Sequence, residues 1–129
     1  MKNISIFDTT LRDGQQSPGS AFSFEKKIEV ARQLNRLNVD TIEAGFPIAS
    51  KDDFDLIRVL SEELKDVSIC AFARANKKDI IAAAEALNGY KNGRIQIVTP
   101  ISDLHLQTRL GINKEQGLEL IKEGLNMAK

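Results

Sequence analysis

Tryptophan is absent from this sequence, cysteine and histidine occur once each, and proline occurs only three times. With a single cysteine, Cys70, no internal disulfide can form, and its place in an apolar segment reads as a small buried thiol in a reducing cytoplasm. An excess of one charge sign is also missing. The 18 basic and 18 acidic residues cancel and are scattered, so no basic surface argues for nucleic acid or an anionic membrane as partner. No apolar run approaches membrane-spanning length, and the start, where Lys2, Asn3 and Ser5 interrupt the apolar residues, has no signal-peptide core. These absences point to a soluble, unprocessed chain. Its 129 residues are long enough for one domain, or part of one, with a real hydrophobic core, and no linker or low-complexity segment divides it.

What is present is a regular alternation of short apolar runs and amphipathic stretches. Ile4, Ile6 and Phe7 predict a first strand that buries against a core. Ser23 then caps a helix with Ile28, Ala31, Leu34 and Leu37 on one face, and Asn38 can take the left-handed position that ends it. Residues 39–45 read as a second strand, and Ser50 to Asp53 as a capping box, with Asp in place of Glu, ahead of a stripe of Phe54, Ile57, Leu60 and Leu64. A third strand over 67–72 leads through the Asn76 cap to a helix with Ile80, Ile81, Ala84 and Leu87 inward, stopped by Asn88-Gly89. Ile95, Ile97 and Val98 make a fourth strand with Arg94 at its entrance. A longer connection from Thr99 to Leu110 then precedes an N-x-x-Q cap at Asn113 and a helix with Leu118, Ile121, Leu125 and Ala128. The fold class is therefore α/β with a parallel sheet and right-handed crossovers. Four such units are half of a TIM (β/α)8 barrel, which usually needs about 250 residues. A complete flavodoxin-like domain binding a phosphate or nucleotide is the weakest alternative, because the first loop carries neither G-x-G-x-x-G nor a P-loop.

The densest cluster of polar residues follows the first strand: Asp8-Thr9-Thr10-Leu11-Arg12-Asp13-Gly14-Gln15-Gln16-Ser17-Pro18-Gly19. Asp8, Arg12, Asp13 and Gln16 cannot be buried without partners or a ligand, while Gly14 and Pro18-Gly19 supply turns. On residue types alone this is either an acidic capping turn with an internal ion pair or a reactive strand end. The wording D-T-T-L-R-D-G-x-Q-x-P-G resembles the first strand and loop of the pyruvate-carboxylase-like, metal-dependent condensing enzymes and lyases. The resemblance continues through Ile42-Glu43-Ala44-Gly45-Phe46-Pro47, Cys70-Ala71-Phe72-Ala73-Arg74-Ala75 and Ser102-Asp103-Leu104-His105, and so covers nearly the whole chain.

The resemblance implies residues 1–129 as the N-terminal part of a TIM-barrel catalytic domain, one that joins acetyl-CoA, as cosubstrate, to a small 2-oxo acid. Such a condensation needs a polarised ketone, a base, and positive charge where an alkoxide develops. On this resemblance Asp13 is a ligand of a divalent metal, Mn²⁺ or Mg²⁺ by its hard oxygen donor and Zn²⁺ if imidazoles join it. Arg12 stabilises the oxyanion and binds substrate, and Gln16 orients substrate or the metal's ligands. Glu43, at the end of the second strand, either holds Arg12 in position or makes a salt bridge without catalytic part. Arg74 engages a substrate carboxylate, another acid of the site, or only solvent. His105 contacts substrate, lines the pocket, or lies on the surface. Thr99-Pro100-Ile101 departs from the family's commoner wording just before it. The family's later His-x-His metal pair cannot come from a chain with one histidine, so the chain alone is expected to lack condensing activity. Self-association as a homodimer is the contrasting expectation, because a half-barrel leaves two sheet edges open.

Overall fold

The computed structural model describes residues 4–129; Lys2 and Asn3, on which the reading of the N-terminus partly rests, lie outside them. Strands β1 (Phe7–Asp8), β2 (Thr41–Gly45), β3 (Ser68–Arg74) and β4 (Gly93–Val98) alternate with helices α1 (Phe24–Arg36), α2 (Lys51–Glu63) and α3 (Lys77–Leu87). Beyond β4 come the short α4 (Asp103–His105), a π-helical turn (Leu106–Leu110) and α5 (Lys114–Met127). The sheet is wholly parallel in the order β1-β2-β3-β4, half of a TIM-barrel arrangement.

One face of the sheet makes the core. Ile42, Ala44, Ile69, Ala71 and Ala73 are buried against Ala31, Leu56, Ile57, Leu60, Ile80, Ala83 and Leu87 from the helices. By the two-residue period of a strand, Thr41, Glu43, Cys70, Phe72, Arg94 and Gln96 belong to the opposite face. Between Glu43 and Gly45 the register with β3 slips, Glu43 pairing with Cys70 and Gly45 with Ala71, a bulge at the carboxyl end of β2.

Local chemistry explains most boundaries. Ser23, Asn76 and Asn113 accept from the backbone N–H three residues on, and Asn38 (φ 57°) and Asn88 (φ 44°) take the left-handed positions at helix ends. Asn113 and Gln116 complete a reciprocal capping box. Ser50 does cap α2, but Asp53 sends its carboxylate to the Phe46 N–H (2.9 Å) and Lys27 (3.2 Å) rather than back to Ser50.

Several expectations are corrected. Ile4, Ile6 and Phe7 are 84%, 50% and 43% exposed, because β1 has a neighbour on one side only and pairs over two residues. Leu37 is exposed at the C-cap of α1. On α3 the inward face is Asp79, Ile80, Ala83, Ala86 and Leu87, leaving Ile81 and Ala84 outside. On α5 the buried positions are Gly117 and Gly124, and Leu118 and Leu125 are exposed. At Gly117 close approach causes this, since a Cβ there would stand 3.0 Å from Leu106 Cδ2, whereas one on Gly124 would make ordinary contact at 3.5 Å with Ile97 Cδ1. The longer connection 99–110 is helical from Asp103 to Leu110.

Candidate active site at the strand ends

The loop after β1 folds back on itself before it reaches α1. Thr9 O accepts from the Arg12 and Gly14 N–H groups, both at 3.1 Å, Asp8 receives the Thr10 N–H at 2.9 Å, and Leu11 is buried in the core. Anchored by Leu11, the turn places Arg12 over the end of β2. Gln15 accepts the Phe22 N–H at 3.0 Å and so ties the loop to the start of α1.

Arg12 Nε donates to Glu43 Oε2 at 2.8 Å, and its Nη1 donates to Asp13 Oδ1 at 3.1 Å. Glu43 has no solvent exposure, and its Oε1 is buried without a hydrogen-bond partner among the described residues. Such an atom is costly to leave unmatched. The Arg12 guanidinium carbon stands 4.7 Å from the centre of the Phe72 ring. Phe72 meets Phe46 edge to face, with centroids 4.8 Å apart at 74°, and the Arg74 guanidinium covers Phe46 at 5.4 Å. Burial first, and then the nearby Glu43 carboxylate, push the Cys70 thiol up to about 12, so it stays protonated and unreactive.

Arg74 is committed elsewhere. Its Nε and Nη2 donate to Asp79 at 2.7 and 3.0 Å, and its own N–H donates to Asp79 Oδ2 at 3.1 Å. Burial pushes the Asp79 carboxyl up, but these bonds and one from Asn76 outweigh it and hold the group below the ordinary carboxylate range. Asp13 lies beside Arg12 with its side chain 62% exposed. Gln16 is exposed at the end of a half-buried 3-10 turn, and His105 is exposed at the end of α4, its N–H on Ser102 Oγ. Neither joins the Arg12–Glu43 pair. Asp79, Phe72 and Phe46 went unremarked in the sequence as site residues. Asp79 was findable as the third residue after the Asn76 cap, whereas the rings meet Arg12 only through the fold.

No three His, Cys, Asp or Glu side chains gather as a metal shell among the described residues. Asp13 contributes one exposed carboxylate, so these residues do not by themselves make a site for a divalent cation.

Parallel strand–helix units with a polar cluster at the carboxyl ends of the strands place the chain among TIM-barrel-type α/β enzyme folds. The chain belongs to the HMGL-like family, whose profile matches residues 3–129. It is 47% identical over 99% of its length to 2-isopropylmalate synthase of Heliobacterium modesticaldum, and 46% identical over 98% to that of Verminephrobacter eiseniae. The chain spans 25% of the length of each. Among solved structures it resembles the HMG-CoA lyase of Bacillus subtilis, with a TM-score of 0.75 at 23% identity over 98% of this chain and 42% of that one. An Acinetobacter baumannii HMG-CoA lyase, solved with coenzyme A and 3-methylmalate, gives 0.68 at 24% identity over 97% and 41%. No helix among the described residues is long and apolar enough to cross a membrane.

Proposed function

We propose that this chain is the N-terminal part of the catalytic barrel of a cytoplasmic 2-isopropylmalate synthase of leucine biosynthesis. That enzyme joins acetyl-CoA to 3-methyl-2-oxobutanoate: the acetyl methyl group loses a proton as its carbon bonds to the ketone carbon, the ketone oxygen takes up a proton to become a hydroxyl, and water cleaves the thioester to leave a carboxylate and CoA as the thiol. The observation that carries the reading is the Arg12–Glu43 pair, a guanidinium fixed by a fully buried carboxylate at the strand ends. Arg12 keeps N–H donors on Nη1 and Nη2 beyond those given to Glu43 and Asp13, a fork suited to the carboxylate of a 2-oxo acid or to the alkoxide as it develops. Glu43 holds that fork in place. Asp13 is the residue assigned to a divalent cation, Mn²⁺ or Mg²⁺, or Zn²⁺ were imidazoles to join it, and Gln16 and His105 to contacts with substrate. Arg74, tied to Asp79, supports the site through Phe46.

The test is calorimetric titration of 3-methyl-2-oxobutanoate into the purified chain and its Arg12→Ala variant, with and without Mn²⁺, and with Asp13→Ala as metal control. The reading expects binding that falls at least about tenfold in Arg12→Ala. Binding unaffected by that change would remove Arg12 from the substrate site. Tighter binding of pyruvate or 2-oxoglutarate than of the branched acid would move the assignment to citramalate or homocitrate synthase. Thiol release from acetyl-CoA by the chain alone is not expected.

The open edges of β1 and β4, with Ile4 and Ile6 exposed beside β1, favour a second reading in which two chains associate. A concentration-independent monomer in sedimentation velocity would exclude it.

A further inference from the structure

A guanidinium held by one bond from Nε to the buried Glu43 and one from Nη1 to the exposed Asp13 can still turn when the exposed partner moves, and the use proposed for Arg12 requires that it does not. We infer that Phe72, backed by Phe46, is a positioning residue that fixes the plane of the Arg12 guanidinium and so decides which of its N–H groups face an incoming anionic oxygen. The inference rests on the role proposed above for Arg12. The Arg12 guanidinium carbon lies over the Phe72 ring, 4.7 Å from its centre, where the ring quadrupole attracts the cation and its bulk resists rotation. With Nε on Glu43 and one Nη1 hydrogen on Asp13, both Nη2 hydrogens and the second Nη1 hydrogen are left as open donors.

Phe72 is itself held. The Phe46 ring meets it at 4.8 Å and 74°. Phe46 is placed by its backbone, whose N–H donates to Asp53 Oδ2 at 2.9 Å, while Asp53 Oδ1 takes Lys27 at 3.2 Å. The turn admits no side chain just before it: a Cβ on Gly45 would stand 2.9 Å from Asp53 Cγ. On the far side, Arg74 lies over Phe46 and is anchored by Asp79. The line Asp53, Phe46, Phe72, Arg12 thus runs from the amino end of α2 to the open guanidinium donors.

The experiment is side-chain NMR of the ¹⁵N-labelled full chain, following Arg12 Nε–H and Nη–H signals in wild type, Phe72→Leu, Phe72→Tyr and Phe46→Leu. Expected in wild type are an upfield ring shift and separate, slowly exchanging Nη1 and Nη2 signals. Phe72→Leu loses the ring shift and speeds Nε–Cζ rotation about tenfold, Phe72→Tyr retains both, and Phe46→Leu falls between. Affinity for 3-methyl-2-oxobutanoate follows the same order. Arg12 rotation unchanged in Phe72→Leu overturns the inference, because Glu43 then suffices. Should Phe72→Leu lose the native amide spectrum, Phe46→Leu decides, and unchanged Arg12 rotation there overturns it equally. Arg12 signals that obey Phe72 in a chain binding no oxo acid support the positioning and count only against the proposed reaction.

Discussion

Two arginines stand at strand ends beside buried carboxylates, Arg12 with Glu43 and Arg74 with Asp79, and the pairs are built differently. Arg74 and Asp79 are five residues apart, and the Asp79 carboxylate takes three hydrogen bonds from Arg74 alone, its backbone N–H included. Asp79 also lies in the first turn of α3, where the helix dipole favours a negative charge. That pair is closed on its acid: it ties the end of β3 to the start of the next helix, its arginine is 62% exposed, and the Nε–Nη2 edge of the guanidinium is taken by Asp79. Arg12 and Glu43 are 31 residues apart, and the arginine is only 20% exposed. Glu43 receives one bond and leaves Oε1 without a partner, while Arg12 retains free donors. A saturated buried acid stabilises a junction; an unsaturated one facing an unsaturated guanidinium is an arrangement that a ligand completes.

The largest effect that sharpens this contrast is on stability. Arg12→Ala leaves the Glu43 carboxylate uncompensated in the interior and is expected to cost about 3 kcal/mol in urea unfolding at pH 7. A smaller loss than that of Arg74→Ala would break the comparison. Next, Asp79→Asn is expected to cost about 2 kcal/mol at pH 7, through bonds that a neutral amide cannot accept as well. Because the folded Asp79 pKa is depressed, its contribution is complete above the unfolded carboxylate value and fades as pH falls through the folded one. The gap between wild type and Asp79→Asn should therefore close below about pH 4. Glu63, also held low by its bond to Arg32, gives an acid slope common to both proteins.

Arg74→Ala is expected to cost only about 1 kcal/mol, since the exposed side chain leaves Asp79 its backbone bond from residue 74 and its place at the helix start. It should leave oxo-acid affinity within about threefold of wild type, against the tenfold or greater loss expected for Arg12→Ala. The smallest effect concerns Cys70. Burial is the first cause of its raised pKa, so iodoacetamide at pH 8 should fail to label the native chain on the timescale that labels it in urea. Glu43→Gln, which removes only the lesser cause, should raise the native labelling rate slightly.

The sequence by itself determined what could be satisfied within a few residues. Strand–helix alternation, the Ser23, Asn76 and Asn113 caps and the left-handed Asn38 and Asn88 depend on bonds spanning three or four positions, so side-chain type and spacing were enough. The strand-end location of the polar cluster was legible for the same reason: Asp8, Arg12 and Asp13 follow an apolar run and cannot join it. Helix phase was not legible where the pattern was ambiguous. In α3 the run Ile80 to Ala84 offers two apolar faces, and in α5 Leu118 and Leu125 mark a stripe that stays exposed while the helix packs through Gly124 and through Gly117, where a side chain would crowd Leu106. Only the tertiary structure decided that Glu43 would be buried with one oxygen unmatched beneath Arg12, and that Phe72 would lie on Arg12. These contacts join β1, β2 and β3 across as many as 60 positions, and each exists because parallel strands bring their carboxyl ends to one side of the sheet.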